Sequence, residues 1–341
     1  MIAPKIFLYS FSLLASLSVV DFGAMILPFV ALVLSIVTLT IGANWLVEGS
    51  AKLAYRVGIP KIIVGATIVS LGTTSPEAGV SVVAALKGHS GLALGNAIGS
   101  VICDTGLIFG LGCLIGRLPI DRFILNRHGW IQFFSGLLLA CIAYFVVYVL
   151  GVPVIPRFLG ITFLVLLAGY LAISVKWAKQ HPNLADEIGN ADRPILLCLI
   201  MIVAGLAVVI KSSDWLVEAG QEICFILKVP ESVIAVTGIA LGTSLPELAT
   251  AITSIRKGHP EILIGNVVGA DVLNILFVTG ASATAIALPI PIEVLKFHLP
   301  AMMLILIVFR ILIAINREYF SKWSGVPLLA IYFTFLIIVF G

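Results

Sequence analysis

Apolar residues run along nearly the whole chain in blocks of about twenty. They are too long for strands and too continuous for the one-sided stripe of a soluble helix. Ten blocks can be marked, at 25–49, 60–86, 91–115, 129–150, 156–175, 195–217, 229–255, 261–287, 298–316 and 324–340. Each is long enough to cross the hydrocarbon of a bilayer as a helix. A further apolar run at 6–20, after Lys5, is short and reads as a signal-like segment or an extra first helix. The one sizeable polar stretch separates the fifth block from the sixth. The predicted organisation is an N-terminal apolar segment (1–24), a five-helix half (25–175), a solvated linker (176–194) and a second five-helix half (195–341).

Composition narrows the class. The 341 residues are 60% hydrophobic and 11% charged, where a soluble chain carries about 25% charge. The chain is thus predicted to be an all-α polytopic protein, multi-pass in a plasma (inner) membrane. Alternate loops hold fourteen Lys and Arg, grouped around Lys52, Arg117, Lys176, Arg256 and Arg317, while the opposite loops hold five: Lys87, Arg157, Lys211, Lys228 and Lys296. Positive charge marks the cytoplasmic side, so the linker is predicted to be cytoplasmic and both ends of the ten-span unit to face outward. Arg310 lies within the ninth apolar block and is expected to snorkel. The five cysteines, Cys103, Cys113, Cys141, Cys198 and Cys224, form no CxxC or Cys/His pattern and read as buried free thiols. No Walker loop, dinucleotide fingerprint or basic nucleic-acid tract is present. Neither an enzyme, a cofactor, nor a nucleic-acid or obligatory protein partner is expected. Uphill transport, unless another subunit supplies energy, must then draw on an ion gradient.

Two interruptions of the apolar pattern carry the chemistry. Ser70-Leu71-Gly72-Thr73-Thr74-Ser75-Pro76-Glu77 places an acid, a proline and hydroxyls inside the second block, and Ala240-Leu241-Gly242-Thr243-Ser244-Leu245-Pro246-Glu247 repeats this 170 residues later. A carboxylate at the centre of a bilayer helix costs about 2.5–3.5 kcal/mol on insertion scales. Proline removes a helical N–H, so Pro76 should free the Gly72 carbonyl and Pro246 that of Gly242. Thr73 shares a helix face with Glu77, and Thr243 with Glu247. Each copy offers hydroxyl, carbonyl and carboxylate oxygen, the ligands of a hard cation.

The shift of 170 extends much further. Trp45-Leu46-Val47-Glu48 meets Trp215-Leu216-Val217-Glu218, Lys87-Gly88-His89 meets Lys257-Gly258-His259, and Gly95-Asn96 meets Gly265-Asn266. Five spans per half is an odd number, so the second half enters the membrane inverted. Inverted repeats with paired broken helices mark secondary transporters, whose sites lie near the midplane between repeats. Spans three and eight begin with Gly-Asn-x-x-Gly motifs; Asp104 follows Ser100 by four, and Asn274 follows Ala270 by four. Each half thus delivers a Glu and, 27 residues on, an Asp or Asn. Asn96 and Asn266 are expected to brace the breaks. Glu48 and Glu218 read as interfacial anchors, and His89 and His259 as solvated.

At these motifs the sequence resembles the sodium/calcium exchanger group of the cation/calcium antiporter superfamily. The paired Gly-Thr-x-x-Pro-Glu and Gly-Asn-x-x-Gly motifs match its two alpha repeats, and the likeness covers nearly everything from about residue 25. The resemblance implies ten transmembrane helices in two inverted five-helix repeats, exchanging Ca²⁺ for Na⁺ by alternating access. It implies that Glu77 and Glu247 are shared Ca²⁺ and Na⁺ ligands and that Thr73 and Thr243 add oxygens to Ca²⁺. Thr74, Ser244 and Ser100, with the carbonyls of Ser70 and Ala240, match positions lining flanking Na⁺ sites. Asp104 and Asn274 match the central polar pair. Three departures stand out: Thr74-Ser75 within the first motif, Ala270 where the family has serine, and Asp104 and Asn274 in exchanged order with an extra acid, Asp271.

The same residues also admit other classes. An H⁺-coupled cation antiporter keeps the fold. A passive channel fits poorly with a midplane trap of four ligand groups. An intramembrane aspartyl protease using Asp104 and Asp271 leaves the Glu pair unexplained.

Overall fold

The computed structural model describes residues 22–180, 194–226 and 242–340. It is helical throughout, apart from four two-residue strands and a short 3-10 turn. The predicted N-terminal segment, most of the linker, and the Ala240 end of the second motif lie outside the described residues.

Helix α1 spans Phe22–Val57. The second span is two helices, α2 at Lys61–Thr73 and α3 at Ser75–Leu86. Then come α4 (Ser90–Ile115), α5 (Arg122–Val149) and α6 (Arg157–Lys179). The second half holds α7 (Ile195–Ile226), α8 (Leu245–Arg256), α9 (Pro260–Ala285), α10 (Val294–Ile315) and α11 (Gly325–Phe340). Among the described residues eight helices are long and apolar enough to cross a membrane, and α2 with α3 makes a broken span. Large exposed side chains such as Leu27, Val165, Leu196, Leu304 and Ile337 coat the outer surface, as lipid-facing side chains do.

Several helices outrun the predicted blocks. Helix α5 starts seven residues before the apolar block because Asp121 caps it, its Oδ1 accepting from the Ile124 N–H at 3.0 Å. Helix α1 continues to Val57 through the Glu48–Lys52 pair. Arg310 does not snorkel: its Nη1 donates to the Leu125 carbonyl at 3.0 Å and its guanidinium covers the Trp130 ring at 4.2 Å. Cys103, Cys113 and Cys198 are buried free thiols as expected, but Cys141 is exposed on the lipid-facing side of α5.

Two features position the site. Helices α1 and α7, repeat mates, pack along one another through glycine. A Cβ on Gly205 would stand 2.6 Å from the Leu46 nitrogen, and one on Gly42 2.8 Å from Val208. Without a hydrophobic drive between helices in lipid, such close approach supplies the packing. Helix α9 lies equally close to α2. Cβ atoms on Gly265 and Gly269 would collide with the backbone of Ile62 and Ala66. Short antiparallel ladders then tie the halves at their ends: β1 (Leu118–Pro119) with β4 (Tyr319–Phe320), and β2 (Val154–Ile155) with β3 (Leu288–Pro289). Each ladder joins loops that the charge count puts on one side of the membrane.

Candidate functional site

The break in the second span is a single residue. Thr74 (φ −82°, ψ −6°) closes α2, and Pro76 sits in the first turn of α3, where its missing N–H has no helical partner to lose. Pro246 does the same in α8 after Ser244. The Gly242 carbonyl is not wholly free, since the Leu245 N–H reaches it at 3.4 Å. Both glutamates therefore lie in the first turn of a helix, where the dipole favours negative charge. Glu77 and Glu247 are each 1% exposed. Glu77 Oε2 and both carboxyl oxygens of Glu247 make no hydrogen bond of ordinary geometry, although the Thr73 and Thr74 hydroxyls lie close by Glu247.

The threonines ahead of the breaks cross between halves. Thr73 Oγ1 donates to Asn266 Oδ1 at 3.3 Å, and Thr243 Oγ1 donates to Asn96 Oδ1 at 3.2 Å. These two bonds are related by the shift of 170. Asn96 also donates to Ser81 Oγ at 3.0 Å and, at 3.5 Å, to the Glu77 carbonyl. Bracing by these asparagines, expected from the sequence, is what the structure contains. Thr73 has only a long 3.4 Å bond back to the Ser70 carbonyl, which already accepts from the Thr74 N–H at 2.8 Å.

Asp104 and Asn274 meet across the centre, Asn274 Nδ2 donating to Asp104 Oδ2 at 3.5 Å. Each opens a π-helical turn, Asp104–Phe109 and Asn274–Val278. A π-turn widens the helix by one residue and re-aims the side chains beside it, and such turns concentrate at functional sites. The carboxyl of Glu77 lies within electrostatic reach of those of Glu247 and Asp104, and Asp104 within reach of Glu247 and Asp271. The hydroxyls of Thr74, Ser244 and Ser100 are buried with no hydrogen-bond partner, as are Asp104 Oδ1 and Asn274 Oδ1. Such orphaned oxygens carry a desolvation cost of about 1–3 kcal/mol each, which a bound cation would offset. Among the described residues no three acidic, His or Cys side chains close around one point. A cation held there would draw on hydroxyl, amide and carbonyl oxygen as well as carboxylate.

Of the predicted site residues, Thr73 and Thr243 bond across the halves, Asp104 meets Asn274, and Glu77 lies within electrostatic reach of Glu247 and Asp104, while Thr74, Ser244 and Ser100 are buried. Ser70 is buried one turn before Thr74, and Ala240 lies outside the described residues. Sequence reasoning missed Thr105 and Gln132, which hold Asp271; the only signal was a lone amide in an apolar run. It also missed the partners of Glu48, which joins Lys52 at 2.6 Å and Lys257 at 3.2 Å. His259 is half-buried, and burial together with nearby Lys61 and Lys257 lowers its pKa from the ordinary value.

The chain is similar to known proteins. A family model described as sodium/calcium exchanger protein matches residues 27–176 and 197–341. Inner membrane protein YrbG of Escherichia coli is 32% identical over 298 residues, covering 84% of this chain and 89% of that protein. Sodium/calcium exchanger MaX1 of Methanosarcina acetivorans is 26% identical over 344 residues, covering 92% and 98%. Among solved structures, that of the sodium-calcium exchanger NCX_Mj soaked with Na⁺ and Sr²⁺ matches with a TM-score of 0.79 at 25% identity, over 93% of this chain and 100% of that one.

Proposed function

The chain belongs to the sodium/calcium exchanger family, and from that premise we propose that it exchanges Ca²⁺ for Na⁺ across the membrane by alternating access, at the oxygen cluster between its halves. The observation that carries the site is the pair of buried glutamates, Glu77 and Glu247, each placed behind a proline break with carboxyl oxygen that makes no hydrogen bond of ordinary geometry. In this reading Glu77 and Glu247 bind both ions in turn, and Thr73 and Thr243 add oxygen to Ca²⁺. Thr74, Ser244 and Ser100, with the carbonyls of Ser70 and Ala240, serve Na⁺, and Asp104 and Asn274 close the centre. An empty site leaves like charges facing a closing apolar gate, which makes occlusion expensive. Only the loaded protein changes sides, so one ion leaves as the other arrives. The H⁺-coupled alternative is not favoured, because the family model, MaX1 and NCX_Mj are all described as sodium/calcium exchangers. The reading calls on no second chain.

The test is Na⁺-gradient-driven ⁴⁵Ca²⁺ uptake into proteoliposomes. Glu77→Gln and Glu247→Gln are each expected to lower uptake about a hundredfold or more, the loss of a ligand charge in a dry site being worth about 3 kcal/mol or more. Uptake at the unmutated level in either variant would refute the assignment.

A further inference from the structure

Asp271 is fully buried, yet it stands outside the group of carboxyls that act on Glu77. Its Oδ2 accepts from Thr105 Oγ1 on α4 at 2.5 Å and from Gln132 Nε2 on α5 at 2.5 Å. Gln132 Nε2 also lies 3.3 Å from Thr105 Oγ1 as donor, so the three side chains form a closed triad. Each donor is spent on the same carboxyl oxygen. Asp271 Oδ1 and Gln132 Oε1 are left buried without any protein donor, as is Oδ1 of neighbouring Asp104. Among the described residues no Lys, Arg or His is paired with Asp271. Two neutral hydrogen bonds do not compensate a carboxylate taken out of water.

The repeat shows that the triad is no part of the shared scaffold. A shift of 170 carries Asp271, Thr105 and Gln132 onto Val101, Ile275 and Met302. All three of those are buried and apolar, within the main core. The symmetry-related positions thus pack without polar atoms. Packing alone gives no reason for three polar groups here.

We propose that Asp271, with Gln132 and the unpartnered Oδ1 of Asp104, forms a separate site for one Na⁺, beside the central cluster on its α5 side. The free donor set is oxygen only, which selects a hard cation. Asp271 supplies the single charge belonging to this site alone, and the other ligands are a neutral amide and a carboxylate shared with the centre. That charge suits a monovalent ion better than Ca²⁺. The proposal rests on the exchange reading for its choice of ion.

Equilibrium ²²Na⁺ binding to the purified full-length protein in detergent tests it without requiring turnover. Asp271→Asn is expected to bind one Na⁺ fewer per chain than the unmutated protein. Gln132→Leu is expected to retain the count but weaken one site about 10- to 100-fold, since it removes a neutral ligand that also holds Asp271 and leaves the charge in place. Gln132→Leu also carries the test should Asp271→Asn fail to fold. Unchanged Na⁺ number and affinity in the variants would overturn the site. So would an unchanged Na⁺ count with loss of H⁺ uptake in Asp271→Asn, which would make the triad a proton site. Failure of the exchange reading looks different: the unmutated protein would then show no Na⁺-driven Ca²⁺ flux, whatever its Na⁺ count.

Discussion

At the residue scale, the asparagines decide how the threonines proposed as ligands are aimed. Asn96 accepts from Thr243 and donates to Ser81, so it links the second motif to the wall of the first half. Asn96→Leu takes the amide away from the buried Ser81 hydroxyl and removes one bond of Thr243. A buried hydrogen-bonding group left unsatisfied costs about 1–3 kcal/mol, so a fall in thermal unfolding temperature of a few degrees is expected. A larger fall in Ca²⁺ affinity should accompany it. Asn266 has no hydroxyl in the place of Ser81, since Ala251 stands there, and its Nδ2 is unpartnered. Asn266→Leu should therefore cost less stability than Asn96→Leu, a ranking that parallel melts of the two variants would check.

His259 makes a pH prediction at the same scale. Burial and two nearby lysines lower its pKa, so the folded protein favours the neutral ring more than the unfolded chain does. The stability this gives is complete above the ordinary histidine pKa of about 6.5. It is lost as pH falls through the lower folded value. His259→Gln should flatten the acid side of a melting-temperature profile while leaving its neutral value nearly unchanged.

At the element scale, the breaks matter more than helix stability. Pro76 begins α3 immediately after Thr74. Pro76→Ala restores an N–H that can bond toward Gly72 and mend the helix. Stability should hold or rise slightly, while Ca²⁺ uptake falls about tenfold as Glu77 leaves the start of a helix and loses its dipole. Uptake and melting temperature moving down together would instead mean that Pro76 only supports folding. Glycine contacts behave in the opposite way. Gly269→Ala sets a methyl group against the Ala66 backbone and should sharply lower the yield of folded protein, because backbone cannot yield as a flexible side chain can.

Such elements were largely legible in the sequence. Apolar blocks gave the spans, proline gave the breaks, and the fixed shift gave the symmetry, because each is a local constraint written in residue type. The π-turns at Asp104 and Asn274 left no such mark. A one-residue slip of hydrogen bonding depends on how α4 and α9 pack on their neighbours, and no residue type is reserved for it. The Asp271 triad was hidden for a related reason: Thr105, Gln132 and Asp271 are far apart in sequence, and Gln132 belongs to no motif. The pairing of Glu48 was missed because its partner Lys257 lies 209 residues away.

At the scale of the whole molecule, the inverted symmetry turns that missed pair into a prediction about motion. Glu48 of α1 joins Lys257, in the turn after α8, at 3.2 Å on the side that the charge count makes cytoplasmic. The repeat mates of these residues are Glu218 on α7 and Lys87 after α3, both exposed and not paired with each other. In an inverted-repeat transporter the opposite-facing state is reached when the halves exchange conformations. The Glu218–Lys87 pair should then close on the outer side as Glu48–Lys257 opens. A partly exposed pair contributes about 1 kcal/mol or less, but that is enough to move a balanced two-state equilibrium about fivefold. Glu48→Gln should therefore raise cytoplasmic access to the site several-fold and slow the return to the outward-facing form. Exchanging the charges, with Glu48→Lys and Lys257→Glu together, should restore the balance, and Lys52 sets the limit of that rescue because Glu48 also holds it at 2.6 Å. Paired cysteines read the motion directly. Glu218→Cys with Lys87→Cys should cross-link only in conditions that open the cytoplasmic side, and Glu48→Cys with Lys257→Cys only in those that close it. Cross-linking of both pairs under one condition would mean that the two ends do not alternate, and the symmetry of the chain would then be architectural alone.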